Sequence, residues 1–94
     1  MKTPILVSAE DMARQHPDRF HRPPPVILKI IGVGDIVKVC DNRERFWVVV
    51  THRKGNIITG EVNNHLIHSP LKVGEKIRFH IDNVYDVYSK EVAR

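Results

Sequence analysis

The segment HPDRFHRPPP, residues 16–25, constrains the fold most, because it places four prolines within ten residues. Proline fixes φ near about −65° and has no amide proton, which excludes both a helix interior and a central strand. We therefore predict a stiff linker, with Phe20 as its anchor in the core. Since 94 residues bury too little surface for two cores, we predict a single domain, residues 1–94, with an N-terminal segment (1–25) and a sheet (26–94).

A short helix is predicted before the linker, over residues 9–16. Ser8 is a good N-cap residue, and Asp11 stands at the third helical position, where the two can satisfy backbone amides reciprocally. Met12 and Ala13 supply a modest apolar face, and Pro17 ends the helix.

After the linker the chain is rich in β-branched residues bounded by turn residues, a pattern typical of strands. Gly55 and the pair Asn63 and Asn64 suit the turns of two successive hairpins. The last long segment alternates with a period of two, which is typical of a strand with one buried face. The predicted strands cover residues 26–31, 35–40, 45–51 and 76–82, and the buried residues of the last are Ile77, Phe79 and Ile81.

These elements predict an α+β fold that is mainly β. A short N-terminal helix packs on a strongly bent antiparallel sheet that resembles a small SH3-like barrel. Because adjacent side chains of a strand point to opposite faces, one of Phe46 and Trp47 fills the interior and the other needs cover from the helix or a partner.

The stretch VGDIVKV (33–39) returns as VGEKIRF (73–79) with glycine and an acid in the same positions. A glycine can reverse the chain at a conformation that is costly for other residues, and the acid can accept a turn amide. We interpret both copies as entries to strands. Asp35 and Glu75 then have structural roles, and no histidine or nucleophile accompanies them, so no enzymatic activity is predicted.

Four stretches together resemble the YegJ-like bacterial family of small domains of unknown function: ERFWVVVT, ITGEVNN, LKVGEKIRF and VYDVY, in this order. The resemblance covers residues 31–88 and implies a small bent sheet with a helix beside it, but no established activity. Family members often have a proline where this chain has Asn64 or His65, and a tryptophan where it has Val87.

Composition limits metal and cofactor chemistry. Cys40 is the single cysteine among six histidines, which excludes an internal disulfide and a thiol-rich metal site. His65 and His68 are three apart, so on a strand they point to opposite faces. We predict no metal and no cofactor, and interpret Cys40 as a small core residue rather than a nucleophile.

The predicted cellular location rests on two sequence patterns, those of a membrane span and of a signal peptide. No apolar run approaches the roughly 20 residues of a membrane span, and the N-terminus has no apolar segment of signal-peptide length. A cytoplasmic protein is predicted.

The net charge of +4 suggests a nucleic acid as one partner. The candidate phosphate-binding residues flank the strand RFWVVVT, which separates them into two groups, and eleven acids interleave with the bases. Binding to single strands would therefore be weak. These candidates are Arg43, Arg45, Arg53 and Lys54, and the aromatic candidates for partner binding are Trp47, Tyr85 and Tyr88.

We therefore predict a small non-catalytic binding module whose partner is a protein or a small molecule. The alternatives are a weak single-stranded nucleic-acid binder and a small-molecule binder with a pocket between helix and sheet. A homodimer is also expected, through an edge strand or through the sheet face near Val48 and Val50.

Overall fold

The computed structural model describes residues 1–41 and 44–88, and these residues are mainly β. They form two short helices and five strands, with a 3-10 helix before the last strand. The elements are α1 (Ala9–Gln15), α2 (Pro25–Ile30), β1 (Ile36–Asp41), β2 (Glu44–Lys54), β3 (Ile57–Val62), β4 (Lys76–His80), the 3-10 helix (Ile81–Asn83) and β5 (Asp86–Tyr88). The predicted α+β, mainly β class is confirmed.

The strands form one antiparallel sheet in the order β4-β3-β2-β1-β5. The register of β2 against β3 shifts between Val50 and His52, and a bulge of this kind bends a strand and increases its twist. In the described part of the chain β4 and β5 do not pair with each other, so the sheet is not closed into a barrel.

One hydrophobic core lies on one face of this sheet. Ile77, Phe79 and Ile81 belong to it, as their spacing predicted. On β2 the buried residue of the aromatic pair is Phe46, at 1% exposure, while Trp47 points to the other face and is half-buried. Burial of a phenylalanine ring is among the largest contributions that a single side chain makes to the stability of a small core.

The predicted dimer contact near Val48 and Val50 is wrong, because both side chains lie in the core at 0% and 1% exposure. The edge of β4 is also partly covered. The amide of Lys2 donates to the carbonyl of Lys76 at 3.2 Å, and the amide of Arg78 donates to the carbonyl of Lys2 at 2.9 Å. These bonds satisfy part of an edge that would otherwise favour pairing with another chain.

The structure corrects the first predicted strand, residues 26–31, which is mainly the helix α2. Pro25 occupies the first turn of α2, where its fixed φ favours a helix and its missing amide proton costs nothing. The other end is held by Arg53, whose guanidinium donates to the carbonyls of Leu28 at 2.6 Å and Ile31 at 2.9 Å. A distant side chain thus overrides the strand propensity of this segment.

Two element boundaries also differ from prediction. Asn63 and Asn64 form no tight turn, because β3 and β4 are joined by the longer loop 63–75, although the strands do pair. The last predicted strand ends at His80 rather than Asp82, since the chain turns into the 3-10 helix there. The imidazole of His80 caps this turn by accepting the amide of Asp82 at 3.0 Å.

The two glycine-acid pairs are strand entries, as predicted. Gly34 has φ 94° and Gly74 has φ 84°, in the region that glycine adopts at little cost. Asp35 accepts the amide of Gly32 at 2.9 Å, and Glu75 accepts that of Lys72 at 3.1 Å, each from three residues earlier. The repeated motif therefore builds the same turn twice.

Candidate binding cleft

A cleft of about 460 Å³ lies between the linker and the sheet. The linker supplies one wall, from Arg19 to Pro24, and Ile27 of α2 extends it. The opposite wall comes from β1, β2, β5 and the residue before β5, through Lys38, Arg45, Tyr85, Asp86 and Val87. Volumes of this size are typical of small-ligand sites.

Arg45 lies beside two neighbouring aromatic rings of this cleft. Its guanidinium carbon is 5.7 Å from the ring centroid of Phe20 and 5.4 Å from that of Tyr85. The two rings are themselves 5.7 Å apart. Cation–π contacts engage the face of a guanidinium, so the N–H groups around its edge remain donors for a planar anion. Phe20 thus anchors the linker on Tyr85, at the rim rather than in the predicted core position.

The cleft carries a strong excess of positive charge. Four cationic side chains line it, against one carboxylate, that of Asp86. Among residues 1–41 and 44–88, the ion pairs involve Lys2, Asp11 and His80 with their partners, and none uses a cation of the cleft. Electrostatic attraction in a concave site is stronger than on an open surface. The four cations are Arg19, Arg22, Lys38 and Arg45.

Arg22 contributes a buried donor with an unfilled hydrogen bond. One terminal nitrogen of its guanidinium donates to the carbonyl of Ile81 at 3.0 Å. Its Nε atom is buried and has no acceptor within the described residues. A buried donor left without a partner costs about 1–3 kcal/mol.

Tyr85 and Cys40 both remain protonated at neutral pH. Burial raises the pKa of Tyr85 above its ordinary value, and the nearby Arg45 offsets this only in part. Burial likewise raises the pKa of the Cys40 thiol. A phenol in this state can donate a hydrogen bond, whereas a protonated thiol is a poor nucleophile.

A second, apolar hollow of about 240 Å³ lies beside the cleft on the same face of the sheet. It is lined by Ile36, Trp47, Asn63 and Tyr88. Lys38 connects the two sites, because it lines the cleft and its Nζ lies 4.9 Å from the ring centroid of Trp47. Tyr88 is 61% exposed, so the hollow presents aromatic surface that a ligand can cover.

The structure distributes the predicted site residues over several places. Arg45 and Tyr85 belong to the cleft, although Tyr85 is only 8% exposed, and Trp47 and Tyr88 belong to the hollow. Arg43 lies outside the described residues.

Arg53 and Lys54 lie away from the cleft. Besides holding α2, Arg53 donates to the carbonyl of Gly55 at 2.8 Å, so its role here is structural. Lys54 lines a separate depression of about 470 Å³ with His52 and Arg78.

Sequence reasoning missed Arg19, Arg22 and Lys38. The signal for the first two is the pattern RFHR within the linker, which places two arginines around an aromatic residue. Lys38 has no comparable signal, because its position beside Trp47 depends on the register of β1 against β2.

Glu44 anchors the loop between β3 and β4. Its carboxylate accepts the amides of Ile67 at 2.7 Å, His68 at 2.8 Å and Ser69 at 3.2 Å. These bonds, that of Ile67 above all, hold the pKa of Glu44 below its ordinary value of 4.5. His65 and His68 are exposed in this loop, and in the part of the chain described no three His, Cys, Asp or Glu side chains lie close enough to share a metal.

The Glu44→Gln variant is expected to lose stability at neutral pH and to differ less from the wild type in acid. The lowered pKa means that ionised Glu44 stabilises the fold above its unfolded pKa, and that this contribution is lost as the pH falls through the folded pKa. Urea unfolding at pH 7, 4 and 3 measures the difference, with Glu61→Gln as the control for loss of one negative charge. A Glu44→Gln difference that stays constant with pH would contradict this role.

Comparisons with family models, curated proteins and solved structures gave no significant match. The resemblance to the YegJ-like family therefore stays a prediction. Within the described residues, no helix combines the length and the hydropathy that a membrane span requires.

Proposed function

We propose that this protein is a small non-catalytic binding module that holds an anionic group in the cleft around Arg45. The observation that carries the proposal is the convergence of four cationic side chains on one concave site with a single carboxylate. A guanidinium already held against two rings loses little freedom when it binds. The site lies between the linker and the sheet, and no residue of the helix α1 lines it, whereas the sequence predicted a small-molecule pocket between helix and sheet.

The depression around Lys54 supports the proposal by contrast. It offers Lys54, Arg78 and the imidazole of His52, together with Ile57 and Thr59, and no Phe, Tyr or Trp side chain. In the described part of the chain, neither cation of this depression lies over an aromatic ring. The cleft has more cations and fixed donors, so it is the stronger anion site.

Single-stranded nucleic acid is the second candidate partner, favoured by the exposed aromatic surface of Trp47 and Tyr88 beside Lys38. Stacking of bases on aromatic side chains next to cations is typical of such binders. An SH3-like character of the sheet, a bacterial source, a cytoplasmic location and a homodimer through an edge strand complete the proposal. The open antiparallel sheet supports the SH3-like character and offers edge strands for a homodimer, and the motif pattern supports the bacterial source.

Titration with pyrophosphate, followed by amide chemical shifts in NMR, tests the proposed site. We expect the largest shifts in residues 19–24, at Lys38 and Arg45, and in residues 85–87, because these surround the cleft. Sodium chloride at equal ionic strength is the control and should produce small, dispersed shifts. Shifts centred instead on His52 and Arg78, or none beyond the control, would refute the proposal.

A further inference from the structure

We propose that the cleft and the hollow form one bipartite site for a nucleoside phosphate, with the phosphate in the cleft and the base in the hollow. This inference rests on the proposed function, because it takes the phosphate as the anion held around Arg45. It adds the class of ligand and a second contact region, which the charge of the cleft alone does not specify.

The sheet register places the two regions side by side. Lys38 stands opposite Trp47 on β2 and Asp86 on β5, and Ile36, two residues before it, stands opposite Tyr88. Two residues along a strand span about 6.6 Å, which is comparable to the sugar that separates a phosphate from its base. A nucleoside phosphate can therefore contact the cations of the cleft and reach the hollow from one side of the sheet.

The hollow has the chemistry that a base requires. Ile36, Trp47 and Tyr88 provide apolar and aromatic surface for the flat face of a ring. Asn63 is exposed at the rim, and its side-chain amide offers both a donor and an acceptor to the polar edge of a base. A purely aliphatic ligand would make no use of this amide, and a purely anionic ligand would leave the aromatic surface uncovered.

The cleft favours a phosphate over a single carboxylate. A phosphate monoester carries a charge of about −1.5 to −2 at pH 7 and three acceptor oxygens. Three arginines and one lysine line the cleft, and Arg45 offers the edge of its guanidinium. Arginine forks match phosphate oxygens in pairs, so this lining suits a phosphate better than a single carboxylate.

Trp47 makes the proposal measurable, since it is the single tryptophan of the chain and lies in the hollow. The protein is titrated with AMP, ribose 5-phosphate and adenosine while tryptophan fluorescence is excited at wavelengths that adenine does not absorb, and calorimetry gives the affinities. We expect AMP to bind about tenfold more tightly than ribose 5-phosphate through stacking of the base. AMP should change the emission of Trp47, and ribose 5-phosphate should leave it nearly unchanged.

A Trp47→Leu variant tests the same contact without fluorescence. Its affinity for AMP, measured by calorimetry, should fall to the level of ribose 5-phosphate, and a matching melting temperature shows that the fold is kept. If this variant is unstable, the affinities of the wild type for AMP and ribose 5-phosphate still test the proposal, because that comparison needs no variant.

The outcomes separate this inference from the proposed function. Equal affinities for AMP and ribose 5-phosphate would overturn the bipartite site and leave the anion cleft in place. No binding of AMP, ribose 5-phosphate or pyrophosphate would overturn both.

The nucleotide can be free in solution or part of a nucleic-acid strand, and titration with a six-residue single-stranded oligoadenylate distinguishes these two sources. Affinity well above that of AMP identifies a nucleic-acid strand as the source, and affinity equal to that of AMP identifies a free nucleotide.

Discussion

Replacing Phe46 with alanine is expected to destabilise the protein by about 3–5 kcal/mol. The side chain is 1% exposed and lies among the core residues of β2, β3 and β4. Its removal loses the free energy gained by transferring the ring from water into the core, and it leaves a cavity that the surrounding strands cannot fill. Since small domains have about 5–15 kcal/mol of stability in total, the variant should be close to unfolding at room temperature.

The neighbouring residue is the matched control for this experiment. Trp47 is larger than Phe46 but half-buried on the opposite face, so Trp47→Ala leaves no enclosed cavity and should cost much less. Urea unfolding of both variants, with the slope of the transition checked against the wild type, measures the difference. A loss of stability in Trp47→Ala equal to or greater than that in Phe46→Ala would contradict this arrangement. It would mean that Trp47, and not Phe46, points into the core.

This pair of residues also shows how far the sequence could predict the core. Alternation along β2 requires one aromatic inside and one outside, but both are large and apolar, so the pattern alone leaves the choice open. The choice is made by the pairing of β2 with its neighbours, where Phe46 stands opposite the buried Val39 and Trp47 opposite Lys38. By contrast, Ile77 and Phe79 alternate with charged residues, which makes their burial predictable.

The segment VILKII shows why local preference was not sufficient. Its β-branched residues favour a strand, yet it forms the helix α2 because Pro25 suits the first turn and Arg53 binds the carbonyls at the other end. Arg53 belongs to β2, so this stabilisation exists only in the folded chain. The same arginine looked like a phosphate-binding residue in the sequence, where exposed and structural guanidinium groups cannot be told apart.

The candidate site was predictable only in part for a similar reason. Arg45 was identified as a basic residue at one end of a predicted strand, and Trp47, Tyr85 and Tyr88 were identified as aromatic residues able to contact a partner. Their grouping into a cleft and a hollow depends on the path of the linker across the sheet. That path is set by the contact of Phe20 with Tyr85 and by the hydrogen bond from Arg22 to Ile81, and neither contact has a local signal.

Arg45→Gln should weaken the binding of pyrophosphate by at least about tenfold, since one charge-assisted hydrogen bond contributes about 1.5–3 kcal/mol. Arg45 supplies both charge and a planar set of donors at the centre of the cleft. Arg45→Lys keeps the charge and loses the planar fork, so it should bind with intermediate affinity. Melting temperatures equal to that of the wild type show that the variants keep the fold.

The most direct test of the anion cleft is the affinity of pyrophosphate for the wild type, Arg45→Gln and Lys54→Gln, measured by calorimetry at one low ionic strength. Lys54→Gln removes the same charge from the separate depression around His52 and Arg78. The cleft predicts at least about tenfold weaker binding for Arg45→Gln and nearly unchanged binding for Lys54→Gln. Equal losses in the two variants, or no loss in Arg45→Gln, would show that pyrophosphate responds only to net charge and would contradict the site.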